Sequence, residues 1–176
     1  MDKRDLEKDR QTTSSTGSHQ QALPEGVFVQ DTVVHTDARG MVFETFNQQW
    51  THHGAPLVVH SYIFTIRPRW TKGWAVHTDH DDRYIIVKGH AEVVLYDGRE
   101  TSSTYGRVFT IVLSESHRRM VNIPVGIWHA TQNLGTEDCI LINHPTKPYS
   151  YEDPDKYRLP LDTDKIPYKF HYPQGW

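Results

Sequence analysis

Pro124-Val125-Gly126-Ile127-Trp128-His129-Ala130-Thr131-Gln132-Asn133 is the stretch that decides the fold. Proline fixes its own φ and a glycine two residues on accepts a positive φ, so the pair makes a tight turn. The turn feeds a β-branched and aromatic run, Ile127–Thr131, that reads as a strand. Similar runs lie on both sides, at Val27–Val34, Met41–Phe46, Leu57–Ile66, Trp74–His77, Tyr84–Lys88, Ala91–Tyr96, Arg107–Leu113, Met120–Ile123 and Cys139–Asn143. Turn residues separate them, among them Ala38-Arg39-Gly40, Lys88-Gly89-His90, Asp97-Gly98-Arg99 and Leu134-Gly135. No window carries a helical apolar period, so helix is expected only as one turn near Asn47–Trp50. Many short strands spaced by turns predict an all-β jelly roll or closed barrel.

The chain has 176 residues and a formal net charge of −3, from 19 basic and 22 acidic residues. That is one domain's length. The charge balance excludes a general electrostatic nucleic-acid binder, which needs surplus positive charge to neutralise phosphates. The single cysteine, Cys139, excludes a disulfide framework and any multi-cysteine zinc site. No apolar run approaches the roughly 18 residues that span a membrane. The charged start, Met1 to Lys8, has no signal-peptide core, so a cytoplasmic setting is expected. Residues 1–23 read as a disordered tail, because they hold almost nothing to bury. A single domain is expected over 24–176, ending in an extended segment spaced by Pro148, Pro154, Pro160, Pro167 and Pro173 that wraps the surface. The 12 histidines are the unusual count.

The opening stretch fits P-x-G-x-x-H-x-x-x-N and resembles the second motif of the cupin superfamily, a jelly-roll β-barrel or double-stranded β-helix. The superfamily's first motif, H-x-H followed by a carboxylate and a glycine, is matched by Ala75-Val76-His77, Asp82 and Gly89. The two-residue strand period explains H-x-H, since it puts both side chains on one face. Here Ala75 stands for the first histidine, leaving His77, Asp82 and His129. Two histidines and a carboxylate have the composition of a metal site, but inward polar residues can also bond one another. No cofactor is expected; a divalent metal on His77, Asp82 and His129 is the alternative. His80, if on a strand, faces away from His77.

A longer ordered series resembles the dTDP-4-dehydrorhamnose 3,5-epimerase family. It includes Asp37-Ala38-Arg39-Gly40, Phe43-Glu44-Thr45-Phe46, Lys72-Gly73-Trp74, Leu95-Tyr96-Asp97-Gly98-Arg99, Ser103-Thr104-Tyr105-Gly106 and Pro148-Tyr149-Ser150-Tyr151. The resemblance implies a nucleotide-linked 4-keto-6-deoxy sugar as substrate and a homodimer that pairs N-terminal strands. It also marks what this chain lacks. The family's base, the histidine of R-G-x-H, matches Ala75; its lysine matches Asp82; its tyrosine falls near Asn143. General acid–base groups contribute about 10²–10⁴ each, so these replacements argue against the parent 3,5-epimerase reaction. Arg39, Glu44, Lys72, Trp74, Arg99 and Asn143 are candidates around the substrate, with His77, His129, Asp82 and Tyr149 as candidates for the chemistry. Each has a plainer reading. Arg99 can fix a turn with Asp97, Arg39 can be a loop charge, His129 a bonded core residue, Tyr149 a packing residue and Trp74 a wall.

Three functions follow. The first is proton-transfer chemistry on a nucleotide sugar or related small carbonyl compound, as isomerase, epimerase or dehydratase, with His77 and His129 as acid and base. The second is a metal-dependent cupin. The third is a non-catalytic sugar-nucleotide binder. None calls for a nucleic acid or a membrane.

Overall fold

The computed structural model describes residues 11–15, 21–50 and 58–175. Most of the expected tail, and Leu57 of one expected strand, therefore lie outside the described residues. Among the described residues there are twelve strands: β1 (Phe28–Asp31), β2 (Val34–Asp37), β3 (Gly40–Phe43), β4 (Tyr62–Ile66), β5 (Thr71–Val76), β6 (Asp82–Lys88), β7 (His90–Asp97), β8 (Val108–Ser114), β9 (Arg119–Ile123), β10 (Ile127–Asn133), β11 (Cys139–Asn143) and β12 (Tyr157–Arg158). The helical content among the described residues is one 3-10 turn, Gln48–Trp50.

Two five-stranded antiparallel sheets form the jelly roll, in the orders β1-β9-β6-β11-β4 and β12-β5-β10-β7-β8. The main core lies between them. It takes Phe64, Ile86, Val121 and Leu141 from the first sheet and Val93, Leu95, Ile111 and Ile127 from the second. A period of two delivers these residues to one side of each strand. The expected strand Val27–Val34 is broken into β1, which pairs with β9, and β2, which folds onto β3 as a separate ribbon.

The outer face of the second sheet is covered by the C-terminal segment. Trp74, Val94 and Ala130 form a second buried cluster with Ile166, and Trp128, Leu159, Tyr168 and Phe170 pack against it. Polar contacts fasten this cover. The Tyr168 hydroxyl donates to Glu92 at 2.8 Å, and the amide of Thr71 donates to the Gln174 carbonyl at 2.8 Å. The second buried cluster corrects the sequence reading of Trp74. Trp74 is 0% exposed and stacks at 5.3 Å on Phe170, outside the barrel, so it lines no substrate space. Its neighbour Ala75 pairs with His129 and faces inward; alternation then sends Trp74 outward.

Candidate functional site

The Pro124–Gly126 turn works as the motif suggests. Gly126 has φ +82°, and a Cβ there would meet the Arg99 side chain at 2.7 Å, so only glycine fits. Its amide donates to the His77 carbonyl at 2.9 Å, which joins the start of β10 to the end of β5. Two rows of inward side chains then face each other. In the second sheet Arg158, Ala75, His129 and Leu95 lie side by side on β12, β5, β10 and β7. In the first sheet Tyr62, Asn143 and Tyr84 do the same on β4, β11 and β6.

Asp82 sits between the rows and is 1% exposed. Its Oδ2 lies 3.2 Å from His77 Nε2, 3.4 Å from His129 Nε2 and 2.9 Å from the Tyr84 hydroxyl, which donates. Its Oδ1 accepts from the Asn143 amide at 2.7 Å. Burial alone would raise the Asp82 pKa; the bonds from His129 and His77 outweigh it and hold the carboxyl well below its usual range. For His77, burial favours the neutral ring, but Asp82 outweighs burial and the pKa is raised. His77 Nδ1 faces the Asp155 carbonyl and His129 Nδ1 the Ile127 carbonyl at 3.1 Å. Carbonyls only accept, so both rings carry hydrogen on Nδ1 and turn Nε2 to Asp82.

His80 also belongs here, against the expectation from strand alternation. Strand β5 ends at Val76, and the Thr78–Asp81 loop turns back instead of continuing the strand. The Asp155 carboxylate holds the Thr78 and Asp79 amides at 2.9 and 2.8 Å. His80 stacks on His77 at 4.0 Å, with Nδ1 3.0 Å from Asp155 and Nε2 3.7 Å from Asp82. Burial and the neighbouring His77 lower its pKa. The ligand atoms of His77, His80 and Asp82 lie within 4.8 Å of one another, a spacing that can hold a metal ion. The metal set expected from the sequence had His129 in the place of His80; here both rings turn Nε2 to the same carboxylate.

A cavity of about 440 Å³ opens above this cluster. His77, Lys72, Tyr62, Tyr149 and Lys156 line it. Lys72 reaches inward because of a bulge. His129 pairs with Ala75 and Thr131 with Lys72, so β5 spends one extra residue and both Lys72 and Ala75 face the interior. The Lys72 ammonium lies 4.4 Å over the Phe64 ring; burial, then Lys156 and Arg158, bring its pKa down to about 8. The Tyr62 hydroxyl is pushed up to about 12 by burial and by Asp82. A larger cavity of about 1180 Å³ lies along the C-terminal segment, lined by residues such as Ile166 and Phe170, and has no histidine.

Thus His77, Asp82, His129, Lys72 and Tyr149 come to one place with Asn143 beneath them, and Arg39, Glu44, Trp74 and Arg99 do not. Asn143 is buried beneath the cavity with its amide nitrogen bonded to Asp82 and Tyr62 and its oxygen to the Arg83 amide, so it positions Asp82 and has no group left for substrate. Arg99 is bonded to Asp97 at 2.9 and 2.8 Å and closes a turn. Arg39 is paired with Asp37 at 2.6 Å on the exposed β2–β3 ribbon. Glu44, just past that ribbon, accepts from Asn47 at 3.1 Å. Tyr84, Tyr62, Lys156 and Arg158 escaped the sequence reading. Tyr84 had a signal, since it lies two residues from Asp82 on one strand.

The dTDP-4-dehydrorhamnose 3,5-epimerase family model matches residues 21–169. The probable low-salt glycan biosynthesis epimerase Agl13 of Haloferax volcanii is 36% identical over 137 residues, covering 77% of this chain and 87% of that one. The spore coat polysaccharide biosynthesis protein SpsL of Bacillus subtilis is 31% identical over 150 residues, covering 84% and 96%. Among solved structures, a dTDP sugar isomerase from Desulfovibrio desulfuricans superposes with a TM-score of 0.76 at 24% identity, over 84% of this chain and 94% of that one. ChmJ, a 3'-monoepimerase from Streptomyces bikiniensis in complex with dTDP, gives 0.72 at 24% identity, over 85% and 78%.

Proposed function

Because the chain belongs to the dTDP-4-dehydrorhamnose 3,5-epimerase family, we propose that it moves a proton at a carbon beside the carbonyl of a nucleotide-linked keto-sugar, as an epimerase or isomerase, with His77 and His129 as acid and base. One observation carries the reading. Two imidazoles present Nε2 to one buried carboxylate, at 3.2 and 3.4 Å, with ring centroids 5.4 Å apart. One Nε2 takes the proton from carbon, the C–H electrons form a carbon–carbon double bond, and the carbonyl oxygen becomes an enolate. Return of a proton to the other face inverts the carbon. Asp82 orients each ring and stabilises whichever one is charged. Such a transfer needs no cofactor.

A relative named as a probable glycan biosynthesis epimerase, and a neighbour in complex with dTDP, support the substrate class. With alanine where the family has its histidine, the reading takes inversion at one carbon and not the double inversion of the 3,5-epimerases. The test is deuterium incorporation from D₂O into dTDP- and UDP-linked 4-keto sugars. Incorporation at one carbon that His129→Asn abolishes is expected. Incorporation at both family positions overturns the single-carbon reading, and incorporation that survives His129→Asn overturns the assignment of the base.

The metal reading keeps one observation of its own, the convergence of His77, His80 and Asp82. A divalent cation held there would polarise the sugar carbonyl. Stoichiometric metal in the purified protein, with exchange lost on chelation, would favour it. We also place the protein in the cytoplasm as a homodimer. No helix of the described residues is long and apolar enough to cross a membrane, and Met41 and Val42 on the ribbon are 58% and 64% exposed. Covering that ribbon with a second copy would remove its apolar edge. Light scattering at micromolar concentration should give twice the chain mass.

A further inference from the structure

Strand β4 brings Tyr62 to the site from the edge of the first sheet. Tyr62 pairs with Asn143, and Asn143 with Tyr84, so the three side chains stand in one inward row. Two phenols flank one amide, and they are used differently. The Tyr84 hydroxyl is buried and gives its hydrogen to Asp82 at 2.9 Å. Tyr62 is partly exposed and lines the 440 Å³ cavity with His77. The amide between them fixes what the Tyr62 hydroxyl can do. Asn143 Oδ1 accepts from the Arg83 amide at 2.9 Å, so Nδ2 is turned the other way. The two Nδ2 hydrogens go to Asp82 at 2.7 Å and to the Tyr62 hydroxyl at 2.8 Å. A phenol oxygen has one hydrogen and two lone pairs. Asn143 fills a lone pair of Tyr62, and no acceptor among the described residues takes the hydrogen. The hydroxyl is therefore held in place at the cavity wall with its donor still to give. Tyr149, the tyrosine expected from the sequence, has no such anchor; its ring is half exposed and meets Tyr151 edge-on at 5.1 Å.

We propose that Tyr62 is a catalytic residue, whose hydroxyl donates a hydrogen bond to the carbonyl oxygen of the keto-sugar and steadies the charge that grows there. The inference rests on the proton-transfer reading above. Short contacts tie Tyr62 to the acid–base pair: Tyr62 to Asn143, Asn143 to Asp82, and Asp82 to His77 and His129. The reacting carbon and the carbonyl oxygen are attached to the same carbon, so base and donor must stand close, as His77 and Tyr62 do in lining one cavity. When an imidazole takes the carbon-bound proton, the C–H electrons become the carbon–carbon double bond and the carbonyl π pair moves onto oxygen. The bond from Tyr62 strengthens as that charge grows. The phenol keeps its proton, and when the carbon is reprotonated the electron pair returns and leaves Tyr62 as it began. Burial and Asp82 push the hydroxyl up to about 12, so it enters each turnover as a neutral donor. The bond from Asn143 works against both and makes the hydroxyl more willing to donate.

The test compares wild type, Tyr62→Phe and a protein with 3-fluorotyrosine in place of Tyr62 in two measurements. The first is dTDP affinity by calorimetry, and the second is the saturated rate of deuterium incorporation into a dTDP-linked 4-keto-6-deoxy sugar. For Tyr62→Phe we expect an exchange rate lower by about 10²–10³. Affinity for dTDP, which has no sugar carbonyl, should stay within about threefold. Fluorine makes the hydroxyl a stronger donor at nearly the same size, so the fluorinated protein should exchange at least as fast as wild type. An unchanged melting temperature shows that the inward row still packs. Loss of dTDP affinity with an unchanged saturated rate overturns the proposal and makes Tyr62 a nucleotide contact. A fluorinated protein as slow as Tyr62→Phe overturns it too, because shape and not donation would then set the rate. If the wild type shows no exchange, the proton-transfer reading itself falls and takes this inference with it; wild-type exchange retained in Tyr62→Phe sinks the inference alone.

Discussion

Asp82 and Asp97 are the same residue type at the same depth, 1% and 0% exposed, and they do different work. Burial pushes both carboxyls up, hydrogen bonds outweigh it, and both stay ionised far into acid. The difference is in the donors. Asp97 is held by the Arg99 guanidinium and by the hydroxyls of Ser102 and Thr104 at 2.5 and 2.6 Å. None of these exchanges a proton near neutral pH. Asp97 therefore closes the loop that runs to Gly106, whose amide donates to the Asp97 carbonyl at 2.8 Å. Asp82 is held by two imidazoles, a phenol and an amide. A buried carboxylate with fixed donors is a rivet; one beside imidazoles can take part in proton transfer.

The sharpest way to break this contrast is to exchange each carboxylate for its amide. Asp82→Asn keeps the shape but cannot stabilise an imidazolium, so the exchange rate should fall by about 10²–10⁴, as should that of His129→Asn. The fold should survive both, as judged by circular dichroism. Asp97→Asn should do the reverse. It strands the Arg99 charge in a partly buried turn and should cost up to about 3–5 kcal/mol by urea titration, while the rate per folded molecule stays within twofold. A catalytic defect in Asp97→Asn, or none in Asp82→Asn, would erase the distinction.

Much of this was legible in the sequence for reasons that can be named. His129 follows a turn that only Pro and Gly build, and His77 lies two positions from Ala75, so local period carries both. Asp97-Gly98-Arg99 announces its own ion pair. What stayed hidden depends on distant chain. Lys72 points inward through a bulge whose partner, on β10, lies far along the chain at His129–Thr131. His80 returns to the site because Asp155 holds the loop. Trp74 faces a cover supplied by residues near Ile166, and no strand period tells what lies on the outer face. Arg158 enters by a two-residue edge strand, too short to recognise.

A smaller effect separates the two aspartates by pH. His77 has a raised pKa, so its bond to Asp82 contributes fully below the unfolded value of 6.5 and is lost as pH rises through the raised one. Asp82 has a lowered pKa, so its contribution is present above 3.8 and is lost as pH falls through the lowered one. The stability advantage of wild type over His77→Gln should be greatest between these two limits and shrink above them. The advantage of wild type over Arg99→Met, whose partner cation does not titrate, should stay level across the same upper range. Urea titrations at several pH values check both; a level profile for His77→Gln would mean that its ring is not charged beside Asp82.

The smallest effect concerns where the polar N-terminus ends. Glu25 clamps the Asp97 loop from outside. Its carbonyl accepts from Arg99 at 2.6 Å, its carboxylate accepts from the Ser103 amide at 2.9 Å, and its amide donates to Thr104 at 2.9 Å. Val27, two residues on, is buried in the main core. Upstream of Leu23 the sequence offers mostly charge, Gln, Ser and Thr, with little to bury. Deleting residues 1–22 should therefore shift the melting temperature by less than about 2 °C. Deleting residues 1–27 removes both the clamp and the Val27 side chain and should lower it by roughly 5 °C or more. The rate of exchange should be unchanged in the shorter deletion, because Asp82 and its partners take nothing from that segment. A large drop with the shorter deletion would show that the polar run packs, and would move the boundary of the domain upstream of Leu23.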